Sequence, residues 1–517
     1  MRSIKRSLPS VVFIFLVIFV CYLSFGKALE SFFWKDDWAW LWTANYNPGD
    51  FSHTTVGDIW FIRAGVFMYP YVLYFHKLIT NSYYWQLIGL GLKIVNSFIL
   101  YFLVLSVSKK KYLAILAAFI FASYSGGIES YTWYKLSALA ASFVLLGFTF
   151  YSKFLETVSN RYLVFTFFSF VLAFMSNMGR PAGLIPVVVL WAILEFFGKD
   201  RTNRERKKIV ISAFSILLPY LVLIKVVNFY SKTQPGLIIG SLQKIDVFFG
   251  VVGNLLKNPF TKYFEIGYLY EVDKLGIVLG IGLFIVGIIL GIVYLVTRNR
   301  YVKYLTISIA WIYLFYYPNW IYGGGGITTI LGSGHRYLAL SGVGLVLLWV
   351  VLLSRFKKPF AIIFSLLLIF LNIRYSKHLI SLESAVRNRN LVEPIYKELD
   401  AQMKNDDNVQ LIVLHTPNIL KSYVVQGWYP YTYAYYKGLK DITDFPVVFP
   451  YWDQGVEWVC ASDEDKRKVQ TIGGFANNRK SNNINIEHIY AWNIDLNGQL
   501  KNRTEELRSV ASNCPKK

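Results

Sequence analysis

Leu275-Gly-Ile-Val-Leu-Gly-Ile-Gly-Leu-Phe-Ile-Val-Gly-Ile-Ile-Leu-Gly-Ile-Val-Tyr-Leu-Val296 carries no charged side chain along its whole length. At 1.5 Å per residue, a run of this kind crosses the roughly 30 Å hydrocarbon core of a bilayer as one helix. Ten further apolar runs flank it: Leu8–Phe25, Trp85–Val107, Tyr112–Tyr124, Leu136–Phe154, Tyr162–Met175, Pro181–Phe197, Ile209–Phe229, Tyr304–Tyr322, Tyr337–Leu353 and Phe360–Ile373. The weak members are Tyr112–Tyr124 and Tyr162–Met175, whose boundaries must extend into aromatic flanks to reach about 20 residues. Leu8–Phe25 follows the basic start Met1-Arg-Ser-Ile-Lys-Arg6 and resembles a signal peptide in outline. No small-residue cleavage site follows in Cys21-Tyr-Leu-Ser-Phe-Gly-Lys27, so an uncleaved first span with a cytoplasmic N-terminus is expected. The pattern predicts an all-α polytopic membrane protein with about eleven transmembrane helices.

Composition agrees. Of 517 residues, 55% are hydrophobic and only 16% charged, with a mean hydropathy of +0.41. Soluble domains carry nearer a quarter of charged residues to cover a wet surface. Aromatics reach 18%, as suits helices that end at membrane interfaces. A net charge of +22 would point to nucleic acid in a soluble chain. Here the basic residues fall in short loops: Lys109-Lys-Lys111, Lys153 with Arg161, Lys199 to Lys208, Arg298 to Lys303, and Arg355 to Lys358. These are every second loop counted from an inside N-terminus, as the positive-inside rule requires, so nucleic acid is not a partner. An odd number of spans then puts the tail outside, in periplasm, cell surface or endoplasmic reticulum lumen.

Outside the membrane, three segments are long enough to carry a function: Gly26–Tyr84, Tyr230–Lys274 and Arg374–Lys517. The tail is rich in Asn, Asp, Lys and Glu. Val409 to His415 and Phe445 to Tyr451 read as buried strands and Glu383–Lys404 as a helix, so a small extracytoplasmic α/β domain is expected over 376–517, after a membrane module over 1–375. An oxidising exterior would allow Cys460 and Cys514 to pair, against the alternative of two free thiols.

Chemistry concentrates beside the outer face. Phe32-Phe-Trp-Lys-Asp36-Asp37-Trp-Ala-Trp-Leu-Trp42 sets two adjacent carboxylates among tryptophans directly after the first span. Burial and a neighbouring carboxylate both raise a carboxyl pKa, which makes a base usable near neutral pH; adjacent acids also occur as helix-start residues. Arg63 precedes the Pro70-aromatic stretch and His76. Gln86, Lys93 and Asn96 share one face of the second span, where a charged Lys must look into the bundle or a cavity. Glu129 in Gly127-Ile-Glu-Ser-Tyr-Thr-Trp133, Arg180 in Ser176-Asn-Met-Gly-Arg-Pro181, and His335-Arg336 after the Gly-rich Gly323–Gly334 run all fall in outer turns. Each lone cation alone reads most simply as a snorkelling or ion-paired residue. Together they suit an anionic lipid phosphate with a base beside it.

In this order, from about residue 10 to about residue 355, the motifs resemble the GT-C-fold integral-membrane glycosyltransferases that use polyprenyl-phosphate-linked sugars, in their protein O-mannosyltransferase-like branch. Trp34-Lys-Asp-Asp-Trp38 resembles the first-loop acidic motif, Gly127–Trp133 the Glu-containing turn, and Gly334-His-Arg-Tyr-Leu338 a late Arg-Tyr-Leu segment. The pair is Asp-Asp where the family has Asp-Glu, and Lys93 stands where relatives often place His. The resemblance implies inverting single displacement on the extracytoplasmic side. Asp36 would be the base on an acceptor hydroxyl; Asp37 would orient the acceptor or bind a divalent metal ion, and Glu129 would be a second acid. Arg63, Lys93, Arg180, His335 and Arg336 would bind the donor phosphate. The acceptor is a protein, a lipid or a glycan. A glycan polymerase or ligase, a lipid-linked-sugar transporter and a non-catalytic scaffold are the alternatives.

Overall fold

The computed structural model describes residues 2–34, 36–48, 67–177, 179–198, 201–230, 244–261, 274–322, 336–417, 429–461 and 485–514. They are mostly helical, with one four-stranded sheet near the C-terminus. Contacts divide the chain into two compact units. One comprises Met1–Ala28, Gly57–Met68 and Gln86–Ser381; the other comprises Leu29–Val56, Tyr69–Trp85 and Leu382–Lys517. The second unit therefore takes in most of the first loop as well as the tail.

In the first unit every apolar run forms a helix. The helices are Arg2–Phe25, Ser82–Ser108, Lys111–Ser123, Lys135–Thr157, Asn160–Ser176, Leu184–Phe196, Asn203–Tyr230, Lys274–Thr297, Arg300–Tyr322, Ala339–Leu353 and Lys358–Arg387. Six helical stretches among the described residues are long and apolar enough to cross a membrane: Pro9–Glu30, Ser82–Ser108, Lys135–Thr157, Lys274–Thr297, Arg336–Leu353 and Lys358–Ser381. Lys111–Ser123, Asn160–Ser176 and Pro181–Phe196 are shorter apolar helices. Along Lys274–Thr297 the side chains of Val278, Ile285, Ile288 and Ile292 are exposed. A helix apolar on every side with that much uncovered surface has hydrocarbon as its solvent.

Contacts sort the turns of this unit into two ends. Arg300 donates to the Val107 carbonyl at 3.0 Å, Lys109 pairs with Glu156, Arg201 meets the Leu155 carbonyl, and Arg355 stacks over Tyr301 at 4.0 Å, so the basic loops gather together. At the other end the Asn177 amide donates to the Tyr134 hydroxyl at 3.4 Å, and Ser130 donates to the Arg336 carbonyl at 3.1 Å.

Three features depart from expectation. Tyr230–Lys274, expected as an outer segment, contains the helix Ile245–Thr261, which packs on Lys274–Thr297 and on Arg300–Tyr322. A Cβ on Gly253 would fall 1.8 Å from the Gly276 carbonyl oxygen and one on Gly280 2.0 Å from that of Phe249, so backbones meet where membrane helices place small residues. Phe248 stacks on Tyr316 at 5.2 Å. The last apolar helix also runs on past Ile373 to Arg387, because Tyr375 and Leu379, one turn apart, keep a buried face in a cluster with Phe25 and Ile128. The Glu383–Lys404 helix expected from sequence is broken at Asn388, whose side chain accepts from the Asn390 N–H and caps Arg389–Gln402.

The second unit holds the sheet. β1 (Leu411–His415) runs parallel to β2 (Val447–Phe449) on one side and to β3 (Ile489–Ile494) on the other; β4 (Leu500–Asn502) is antiparallel to β3. β1 and β2 occupy the strands read from sequence, and β1 is buried except at its end, as befits a central parallel strand. Leu411, Val413, Phe449 and Ala491 pack against Trp458 and Leu507 of the helices Trp452–Cys460 and Thr504–Ser512. Cys460 and Cys514 form a disulfide with Cα atoms 5.3 Å apart, joining those two helical segments.

Candidate functional site

Asp36 and Asp37 open the helix Asp36–Tyr46, where carboxylates meet the positive end of the helix dipole. Asp37 Oδ2 accepts from the Trp34 N–H at 3.0 Å, the reach-back half of a capping box. Two aromatic faces follow from helical spacing. Trp38 and Trp42, one turn apart, face the tail: Trp38 meets Tyr396 at 5.6 Å, and Trp42 meets Phe445 at 5.0 Å and donates to the Leu439 carbonyl at 2.6 Å. Asp37 and Trp40 lie on the other face.

That other face meets His76. Tyr71–Phe75 winds as a π-turn after Pro70, a local widening frequent at functional sites, and delivers His76 to the helix. His76 Nδ1 lies 2.9 Å from the Tyr71 carbonyl, which only accepts, so Nδ1 carries the proton. Nε2 then faces Asp37 Oδ1 at 3.9 Å. Both side chains are fully buried, and neither facing atom has a hydrogen bond. Trp40, Tyr71 and Trp85 enclose the imidazole at 5.4, 5.1 and 4.4 Å between ring centres. Asp36 is half-buried. Burial pushes the Tyr431 phenol up to about 12, and the Asp36 charge adds to that shift.

In the first unit the turn containing Glu129 and the segment containing Arg336 come together. Gly127 adopts φ 72°, and a Cβ there would fall 2.3 Å from Ala339 Cα, so the turn is pressed onto the Arg336 segment. Fully buried Glu129 accepts from the Arg336 N–H through Oε2 at 3.3 Å. The Arg336 guanidinium lies over Trp133 at 4.0 Å and Tyr134 at 5.6 Å. Lys93, fully buried, donates to the Tyr124 carbonyl at 3.0 Å inside a cage of Phe25, Phe121 and Tyr131. Asn96 donates to the Tyr131 hydroxyl at 3.3 Å, so the polar face read on this helix does look into the bundle.

The structure thus joins Glu129 with Arg336 in one unit and places Asp36 and Asp37 in the other. Arg180 begins the short helical turn Arg180–Gly183, its side chain outside the described part. Arg63, His335 and the Gly323–Gly334 run lie outside the described residues. His76 was not assigned a role from sequence; its only signal there was a histidine inside an aromatic stretch. A divalent ion at Asp37 would find His76 as a second donor, and among the described residues no three His, Cys, Asp or Glu side chains are grouped for a metal. No protein-family model matches the chain, and no curated protein matches it in sequence.

Proposed function

We propose that this chain is an integral-membrane glycosyltransferase that moves a sugar from a polyprenyl-phosphate donor to a hydroxyl acceptor outside the cytoplasm. About eleven helices cross the bilayer in this proposal, the basic end faces the cytoplasm, and the sheet-bearing tail is extracytoplasmic. The observation that carries it is the buried Asp37–His76 pair at the start of the first helix beyond the first span, with half-buried Asp36 adjoining it. Asp36, the more accessible carboxylate, is the base; it removes the acceptor proton as the hydroxyl attacks the anomeric carbon and the lipid phosphate leaves. Asp37, tied to the Trp34 N–H and facing His76, positions it. The disulfide supports an oxidising exterior for the tail.

The test is release of lipid phosphate from a radiolabelled polyprenyl-phosphate sugar by purified protein, with membrane extract as acceptor. Wild type turns over, while Asp36→Asn binds donor and does not. Equal turnover by both proteins, or no donor binding by either, makes the carboxylates structural and gives the lead to a transporter or scaffold.

A further inference from the structure

At the basic end of the membrane unit a cavity of about 320 Å³ is lined by Arg201, Arg298, Arg300 and Lys303 against Glu156 and Glu195, four cations to two carboxylates. Both carboxylates are already answered. Glu195, 7% exposed, binds Lys303 at 2.6 Å and Arg201 at 3.0 Å, and Glu156 pairs with Lys109 from beyond the lining. Part of the remaining charge serves helix ends: Arg201 meets the Leu155 carbonyl, and Arg300 donates to that of Val107 at 3.0 Å. Arg298 has no such employment. Its guanidinium lies over Phe197 at 5.0 Å and Tyr294 at 6.0 Å, and its Nη1 is buried without a hydrogen-bond partner. Its backbone sits at φ 54°, a left-handed conformation rare for a side chain of this size. A buried cationic donor left unanswered is costly, and an anion in the cavity answers it.

A second cavity, about 340 Å³, shares Arg300, Tyr304 and Val107 with the first; its surface is mostly apolar, from Leu113, Leu347 and Val350 among others, with Lys110 and Arg355 also in the lining. A cationic cavity opening beside an apolar one among bilayer-facing helices has the chemistry of a phospholipid, phosphate in one and acyl chain in the other. Ser152 and Glu156 place the first cavity at one end of the helix Lys135–Thr157, whereas Trp133 and Tyr134, which hold Arg336, precede its other end. The two places are therefore about 30 Å apart along that helix.

We propose that the basic end binds the phosphate of an anionic membrane lipid through Arg298 and Arg300, with an acyl chain in the apolar neighbour. This site is independent of the transferase chemistry and is tested without it. Delipidated protein in neutral detergent is titrated with phosphatidylglycerol, phosphatidylcholine or inorganic phosphate, followed by native mass spectrometry and melting temperature. Phosphatidylglycerol is expected to stay bound and raise the melting temperature, with at least tenfold weaker retention of phosphatidylcholine. Arg298→Gln with Arg300→Gln removes that preference, and Arg298→Lys with Arg300→Lys restores most of it; the Lys pair also separates loss of binding from loss of fold. Equal retention of the two lipids, or a preference untouched in the Gln pair, overturns the proposal. Stabilisation by inorganic phosphate without any anionic-lipid preference assigns the cavity to a soluble phosphate and overturns the lipid.

Discussion

His76 illustrates what a single side chain does here. Its Nδ1–H is spent on the Tyr71 carbonyl, and its Nε2 faces Asp37 Oδ1 at 3.9 Å. In the transferase proposal it is a positioning residue: it fixes Asp37, which in turn fixes the start of the helix that presents Asp36. His76→Gln is expected to lower kcat by about tenfold to a hundredfold, less than the roughly hundredfold to ten-thousandfold of a direct acid–base group because His76 acts through Asp37, while the KM for donor holds. A purely structural role would instead lower protein yield and melting temperature with kcat per folded molecule unchanged. The Asp-Asp pair was legible in sequence because two carboxylates among tryptophans are poorly placed in a solvated loop. Its partner was not, because the π-turn of Tyr71–Phe75 decides where His76 points. Glu129 and Arg336 were both singled out from sequence, but that they meet depends on Gly127 pressing one turn onto the other.

At the scale of elements, the helices Trp452–Cys460 and Thr504–Ser512 are tied by the Cys460–Cys514 bond, which closes a separation of 54 residues. Loop-closure entropy for that length is worth about 4 kcal/mol in the unfolded chain. Cys460→Ser is therefore expected to lower the unfolding free energy of the tail by about that amount in denaturant titration, and a change below about 1 kcal/mol would contradict it. A second device links the turn after Arg389–Gln402 to β3. Asp406 Oδ1 meets His488 at 2.8 Å and its Oδ2 accepts from the Tyr490 hydroxyl at 2.9 Å. Burial works to raise the Asp406 pKa, but hydrogen bonds from His488, the Asn408 N–H and Tyr490 outweigh it and hold the carboxyl below its usual value. A depressed carboxyl stabilises the fold above its unfolded pKa, near 3.9, and that stability is lost as pH falls through the lower folded value. The tail should thus weaken on acidification below about pH 4, and Asp406→Asn should remove much of this slope at a cost of about 2 kcal/mol at pH 7. An unchanged slope would place the acid sensitivity elsewhere. The apolar helices and β1 were legible because hydropathy is a local property. The helix Ile245–Thr261 was not, because Asn254, Lys257 and Asn258 dilute its apolar pattern although all three are buried.

For the whole molecule, sequence order and compact units do not coincide. Trp42 and Leu439 hydrogen-bond across 397 residues, which is why a boundary drawn at the drop in hydropathy misses the membership of the first loop. A helix whose two faces are both aromatic gives no sign in sequence of which partner each face has. Sidedness is different, since it follows from charge. The loops around Lys109, Arg201, Arg298 and Arg355 gather at one end of the membrane unit, while the turns carrying Glu129, Asn177 and Arg336 gather at the other. In the transferase proposal, anionic lipid and the membrane potential hold the basic loops inside, so the first end is assigned to the cytoplasm. The tail follows the last apolar helix, which starts at Lys358, and the same proposal therefore assigns it to the outside. In a Cys21→Ser background, single cysteines at exposed Arg204 and Leu496 report the two sides. An impermeant maleimide applied to intact cells, or to right-side-out vesicles, should label Leu496→Cys at once and Arg204→Cys only after permeabilisation. Labelling of both from the same side would mean an even number of crossings between them. That result would remove the extracytoplasmic site, and with it the lipid-phosphate donor chemistry, whatever the buried carboxylates do.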